Sequence, residues 1–503
     1  MKDFLFVLIF IPVVSIAQTA TIHEKAYQYQ SGDIARIVKG SEAQADSIAP
    51  DTTGMGALSS VELAKEMVPG WNVGNSLDAI PTETSWGNPL ITQGLIDSVK
   101  AAGFNAVRIP VAWSSHFSNA TTFTIDPTFM SRVEEVVNYV LNDNMYAIIN
   151  IHWDSGWMIP TDTEKVYVNN RLAIMWQQIA VYFRDYDYHL IFAGMNEVHF
   201  DYSNPKQEYY NVHNSFNQTF VTTVRSTGGC NTYRYLAVQG FNTNIDNTVS
   251  GFIIPTDVTQ SRLIVEVHYY DPYNFTINTG TGYTTQWGNN ATIKTDTWAN
   301  ESWADGEFQK MKTNYIDKGY AVILGEYGVV ARLNLGTTAL NASFAKYRRY
   351  YMDYITRSLE RHGLVPFYWD DGGSMGIFNR STGAQVYPDI IKALVDTNDI
   401  NNTGTGVGML DLYSNPAKYS LIQNYPNPFN PSTTISFSLP SKSIVSLKVF
   451  DLTGKEIAII VSQELSAGTY SRQWNAANMS SGIYFYQLQA GTYTETKKLV
   501  LLR

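Results

Sequence analysis

Eight short, near-continuously apolar runs, most followed by a longer stretch with helical spacing, constrain this chain more than any other feature. They occupy residues 70–75, 106–111, 146–153, 190–197, 234–240, 263–270, 321–328 and 364–370. Strands that are apolar throughout are buried on both faces, and helices between them are crossovers of a parallel sheet. Residues 91–102 align Leu95, Ile96 and Val99 on one face. Residues 127–141 align Phe129, Val133, Val136, Val137 and Val140 behind an Asp126 N-cap. Residues 171–183, 206–224, 305–316, 343–359 and 389–395 fill most other gaps, whereas the fifth, 242–250, shows no clear helix. Eight repeats within 56–397 predict an α/β fold, a (β/α)8 barrel, rather than an open doubly wound sheet. No glycine-rich phosphate loop follows the first run.

The flanks have a different character. Lys2 precedes an apolar run over 4–14, and Ser15-Ile16-Ala17 offers a small-residue cleavage site, so 1–17 read as a signal peptide. The run is shorter than the ~20 residues a spanning helix needs, which disfavours a membrane anchor and any stable membrane insertion. Residues 18–55 form a polar N-terminal extension, and 398–420 an Asn/Thr/Gly/Ser-rich linker. Residues 421–503 show short alternating strands at 433–439, 444–450, 457–461, 469–474 and 483–490, the pattern of a small all-β sandwich. This segment has 7 Lys/Arg against 4 Asp/Glu, a net charge of +3, while the whole chain is −10. The opposite sign marks it as an independent module. An acidic chain argues against nucleic acid as a partner. The single cysteine, Cys230, leaves no intrachain disulfide and no Cys-based zinc site.

In a (β/α)8 barrel the functional side chains stand at the C-terminal ends of strands. Here one strand end after another carries polar or ionisable groups: Arg108, His152 with Asp154, Asn196-Glu197, His268 with Tyr270, Glu326, and Trp369-Asp370. Taken singly, each has a bland explanation. Arg108 closes the barrel mouth with a salt bridge, the histidines are core imidazoles, Trp369 packs inside, and 370–373 is a turn. Their succession along six strands is harder to explain that way. Glu197 and Glu326 fall on strands four and seven, which oppose each other across the mouth, and two carboxyls flanking a cleft are what glycoside hydrolysis uses. Arg108 and Tyr270 then hold one carboxylate ionised, Asn196 meets a sugar 2-hydroxyl, and Trp369 offers a stacking face. A metal-dependent alternative would rest on His152 and Asp154, which lack a convincing third ligand.

Residues 58–397 resemble the glycoside hydrolase family 5 cellulases. The family's Asn-Glu at the end of strand four matches Asn196-Glu197, and its nucleophile motif matches Gly325-Glu326-Tyr327-Gly328. Its remaining hallmark positions match Arg108, His152, His268, Tyr270 and Trp369. The segments Gly70-Trp71-Asn72-Val73-Gly74-Asn75-Ser76-Leu77-Asp78 and His268-Tyr269-Tyr270-Asp271-Pro272-Tyr273-Asn274-Phe275 resemble the endoglucanases and xyloglucanases of that family. Trp153 departs from the pattern, since many relatives carry a second histidine there. The resemblance implies a retaining endo-β-1,4-glucanase with Glu197 as acid/base, Glu326 as nucleophile, Arg108, His152, Asn196, His268, Tyr270 and Trp369 supporting them, and neither metal nor cofactor. A general acid needs a raised pKa and a nucleophile an ionised carboxylate, so Glu197 is expected to be raised and Glu326 charged. A β-1,4-mannanase and a non-catalytic glycan-binding barrel are the alternatives.

Tyr425-Pro426-Asn427-Pro428-Phe429-Asn430-Pro431, the segment Val449 through Glu456, the segment Gly482 through Phe485 and the Lys497–Arg503 tail resemble the sorting domain of the type IX secretion system. The implied partners are a β-glucan substrate and the outer-membrane secretion machinery, for a monomer exported across the periplasm and outer membrane. A carbohydrate-binding sandwich is the rival reading and would require a row of exposed aromatics.

Overall fold

The computed structural model describes residues 48–200, 205–293, 295–396, 419–424, 427–465 and 468–502. The signal peptide, most of the extension and nearly all of the linker lie outside these residues. The chain divides into two compact units, residues 1–402 and 403–503.

The first unit is the eight-stranded barrel. Its strands are β1 (Gly70–Val73), β2 (Ala106–Ile109), β3 (Tyr146–Asn150), β4 (Leu190–Ala193), β5 (Leu236–Gln239), β6 (Leu263–His268), β7 (Ala321–Tyr327) and β8 (Leu364–Asp370). All are parallel, and they close in sequence order with β8 beside β1. Only strand residues buried from both sides can sustain such apolar runs, and seven of the eight strands are buried throughout, Trp369 on β8 being the half-buried exception.

The connecting helices are α1 (Gln93–Ala101), α2 (Pro127–Asn142), α3 (Lys165–Tyr182), α4 (Gln207–Ser226), α5 (Ile245–Gly251), α6 (Glu301–Asn314), α7 (Thr338–His362) and α8 (Pro388–Val395). Asp126 caps α2 by accepting from the Thr128 amide at 2.7 Å, ahead of Pro127 in the first turn. The fifth gap does hold a helix, the seven-residue α5, capped by the Asn244 side chain on the Asn247 amide at 3.0 Å. Two turns are too few for a 3.6-residue period to show in the sequence. A further helix, Ser60–Glu66, packs Leu63 and Ala64 against strand-start residues Ala106, Tyr146 and Ala321, closing the end of the barrel away from the site. Ile48–Pro50 pairs with Gly228–Gly229, so the end of the extension lies on the barrel.

The second unit is a sandwich of antiparallel strands: β9 (Ser420–Leu421), β10 (Ser432–Leu439), β11 (Ser443–Phe450), β12 (Glu456–Leu465), β13 (Gly468–Asn475), β14 (Gly482–Ala490) and β15 (Tyr493–Leu501). One sheet has the order β9-β10-β13 and the other β12-β11-β14-β15. Phe437, Leu447, Val449, Tyr486 and Leu499 meet in the core between them. Ser420, counted with the linker in sequence, belongs to β9. Residues 497–501 of the basic tail, read from sequence as a motif, belong to the last strand, β15. Trp474 and Tyr486 are buried in this core, which removes them from any sugar-binding platform. Among the described residues no helix is long and apolar enough to cross a membrane.

Candidate active site

The barrel register sets the site. Asn72 on β1 lies beside Arg108 on β2, and His268 on β6 lies beside Glu326 on β7. Arg108 is fully buried and spreads its guanidinium over four neighbours, Glu266 on its Nε side among them. Its Nη1 donates to Asn72 Oδ1 and Glu326 Oε1, both at 3.0 Å, and its Nη2 donates to Asn196 Oδ1 at 2.5 Å. The Tyr270 hydroxyl donates to Glu326 Oε2 at 3.2 Å. Glu326 is therefore held by a donor at each oxygen.

Glu197 is held differently. It leaves β4 with φ 47°, a left-handed backbone that non-glycine residues adopt at some strain, and its carbonyl accepts from His199 Nδ1 at 2.6 Å. Its carboxylate meets His268 Nδ1 at 2.7 Å. Its side chain is 39% exposed, against 7% for Glu326. One oxygen of each glutamate and a His268 nitrogen lie within 4.8 Å of one another.

The charges are coupled. Burial alone would drive His268 neutral, but the charge of Glu326 and the bonds to Glu197 and Glu266 outweigh it and raise the imidazole to about 9. Burial pushes Glu326 up to about 7 against the pull of His268 and Arg108, with Glu197 and Glu266 adding to the rise. Burial acts on Glu197 too, but the hydrogen bond and charge of His268 prevail and hold it below the ordinary glutamate value. The pair thus keeps one proton between its members into neutral pH. The directions run opposite to the sequence expectation, with Glu197 held down and Glu326 raised. Burial raises both carboxyls, and His268 offsets it more at Glu197, which its ring meets at 2.7 Å, than at Glu326 at 3.7 Å.

His152 stacks on Trp369, with centroids 5.7 Å apart and planes 10° from parallel. Burial, then the charges of Arg108 and His268, hold it well below its usual pKa, so it is neutral. Its Nδ1 faces Asn150 Nδ2 at 3.2 Å, which leaves Nε2 to carry the hydrogen. Trp369 is half-buried and lies over Gly74, where a Cβ would stand 2.7 Å from the indole ring. Trp153, next to His152, is 47% exposed. Asp154 is engaged elsewhere. It accepts from the Ser114 amide and hydroxyl at 2.5 Å and from Trp157 Nε1 at 2.7 Å, so it is not free to bind a metal. Asp370 ends β8, and the chain bends at Gly372 and Gly373 beyond it, with Asp370 accepting from the Gly372 amide at 2.8 Å.

Among the described residues, Glu197, His268 and Glu326 form the one group close enough to ligate an ion. Arg108 and the charged His268 already neutralise these carboxylates, so the donor set is unfavourable for a further cation.

Sequence reasoning missed three members of the cluster. Asn72 bonds Arg108, and its Nδ2 donates to the Gly325 carbonyl at 2.8 Å. Glu266 pairs with Arg108 Nε at 2.9 Å, and Gln239 donates to Glu266 at 2.8 Å. A signal existed for Glu266: it is a lone charge inside an apolar strand, on the same face as His268 two residues on.

Residues 72–374 match the family model described as cellulase, glycosyl hydrolase family 5. The chain belongs to glycoside hydrolase family 5. It is 44% identical over 351 residues to a xyloglucan-specific endo-β-1,4-glucanase of Bacteroides ovatus, covering 67% of this chain and 70% of that one. It is 38% identical to endoglucanase A of Paenibacillus barcinonensis, covering 68% of this chain and 90% of that one. The structure of a family 5 xyloglucanase from Bacteroides ovatus bound to a heptasaccharide superposes with a TM-score of 0.68 at 41% identity, covering 69% of this chain and 78% of that one. The family 5 barrel is thus a glycoside hydrolase. Residues 423–502 match a secretion system C-terminal sorting domain, which marks the protein for export.

Proposed function

We propose that the barrel is a retaining endo-β-1,4-glucanase that cleaves internal bonds of cellulose-like, mixed-linkage or xyloglucan chains. The observation that carries this reading is the approach of the Glu197 and Glu326 oxygens to within 4.8 Å. Retaining enzymes place their carboxyls ~5–5.5 Å apart, whereas inverting ones leave ~6.5–9.5 Å for a water. Glu326, buried and oriented by Arg108 and Tyr270, attacks the anomeric carbon. Glu197, the exposed partner, protonates the leaving oxygen and then activates the water that releases the glycosyl-enzyme. The reactive form has Glu326 ionised and the shared proton on Glu197.

Arg108 occupies Asn196 Oδ1, so the Asn196 amide hydrogens are left for a sugar hydroxyl. Neutral His152 presents Nε2–H beside the Trp369 face, where a pyranose stacks. All eight residues belong to one chain, which suits a monomer. The names of the relatives support a β-1,4-glucan as substrate. The reading divides the chain into signal peptide 1–17, extension 18–55, catalytic barrel 56–397, linker 398–420 and sorting domain 421–503. The last carries the enzyme across the outer membrane, to be released or kept at the cell surface.

Glu197→Gln and Glu326→Gln, each nearly isosteric, should fold normally and lose turnover by orders of magnitude. Product release from carboxymethylcellulose, barley glucan, xyloglucan and glucomannan identifies the substrate. Near-normal hydrolysis by either variant removes the two-carboxylate assignment, and turnover of glucomannan alone would make the enzyme a mannanase.

A further inference from the structure

A third carboxylate lies behind the two glutamates. Glu266, on β6, has no solvent exposure. Its Oε1 faces Arg108 Nε at 2.9 Å and His268 Nε2 at 3.4 Å, and its Oε2 accepts from Gln239 Nε2 at 2.8 Å. β7 makes room for it. A Cβ on Gly325, the residue before Glu326, would stand 2.3 Å from Glu266 Oε1. Arg108, placed to orient Glu326, thus also faces Glu266 as an ion pair on its Nε side, at a geometry that makes no hydrogen bond there, and His268 is gripped from one side by Glu197 and from the other by Glu266.

The charged and titratable groups facing this carboxylate and the pair are Arg108 on β2, His152 on β3, Glu197 and His199 after β4, His268 on β6, Tyr270 after β6 and Glu326 on β7. His152 and Tyr270 are neutral near pH 7. Arg108 and His268 bring two positive charges, and the three glutamates bring up to three negative ones. The cluster balances when one proton stays on Glu197 or Glu326. Without the Glu266 charge it would balance with both ionised, and no general acid would remain.

We propose that Glu266 is a positioning residue for the hydrolysis. It fixes His268 and the Arg108 guanidinium, and it supplies the third negative charge that keeps one proton on the Glu197–Glu326 pair. The inference rests on the acid and nucleophile roles proposed above. A burial-driven rise in Glu326 and a Glu266 carboxyl drawn down to about 2, as Arg108 and His268 outweigh its burial, agree with it.

The test is Glu266→Gln, which removes the charge and keeps the shape, with pH profiles of kcat/KM on a soluble β-glucan. Loss of the acid's proton sets the alkaline limb. Removing a negative neighbour releases that proton earlier, so the limb should move to lower pH by about 1 to 3 units, the range for a charge ~4–6 Å away. The double variant E266Q/Q239E returns a buried negative charge one strand over and should bring the limb back toward the wild-type position. A merely structural Glu266 would lower the rate with the limb unmoved, and that result overturns the proposal. Should E266Q fail to fold, nitrogen-15 NMR of the wild-type histidines decides the matter. The His268 ring should stay doubly protonated through neutral pH and titrate at about 9, whereas a ring neutral at about pH 7, near its unperturbed behaviour, overturns the charge count. Inactive E197Q and E326Q with an unmoved E266Q profile refute this inference alone. Active E197Q or E326Q removes the reading beneath it, and the inference with it.

Discussion

Tyr270→Phe isolates a single contact of the site. The variant loses one hydroxyl, the donor to Glu326 Oε2 at 3.2 Å, and keeps the ring. The backbone carbonyl of Tyr270, which accepts from Thr276 Oγ1, is untouched. A hydrogen bond to a charged group contributes about 1.5–3 kcal/mol. At 3.2 Å this bond is longer than the ~2.5–3.0 Å of an ordinary O–H···O pair, so the lower figure applies. A loss of about 1.5 kcal/mol corresponds to a fall of about tenfold in kcat. The pH sign follows from the same bond. Tyr270 favours the ionised form of Glu326, so its removal raises the pH at which the nucleophile becomes charged. The acidic limb of the profile should therefore move up, by at most about one unit for 1.5 kcal/mol. The assay is kcat against pH on a soluble β-glucan, with thermal unfolding as a control on folding. An unchanged kcat and an unmoved acidic limb in a folded variant would refute the idea that Tyr270 holds the nucleophile.

Early product followed by proton NMR should appear as the β-anomer, as the carboxyl separation requires; an initial α-anomer rejects Glu326 as nucleophile. A chain ending at Asp396 should hydrolyse soluble β-glucan about as well as the full chain, because every assigned residue lies between Arg108 and Trp369, but it should lose export in a host with the cognate system. Truncation that spares export and abolishes binding to insoluble cellulose would instead make the sandwich a carbohydrate-binding module.

Much of the barrel was legible because its signal is local. A strand covered on both faces must be apolar along its length, and 321–328 or 364–370 shows this without reference to any other segment. α2 announces itself by its apolar stripe and by Asp126-Pro127. The short α5 and the last strand β15 were not legible in this way. α5 spans too few turns to display a period, and the alternation in β15 is masked by Lys497-Lys498. Within the site, the strand-end positions of Glu197, His268 and Glu326 stand out because each interrupts or ends an apolar run.

The sequence by itself therefore determined the barrel, the sandwich, and the residue types presented at the strand ends. Only the tertiary structure decided which of them share charge. Glu266 pairs with Arg108, 158 positions away in sequence, because β2 and β6 project into one closed interior. Burial raises both carboxyls of the pair, and Glu197 is nevertheless held down because the His268 ring stands 2.7 Å from it and 3.7 Å from Glu326. Coulomb energies between buried groups vary with separations of this size. A sequence specifies which charges exist, and barrel closure sets the ångströms between them.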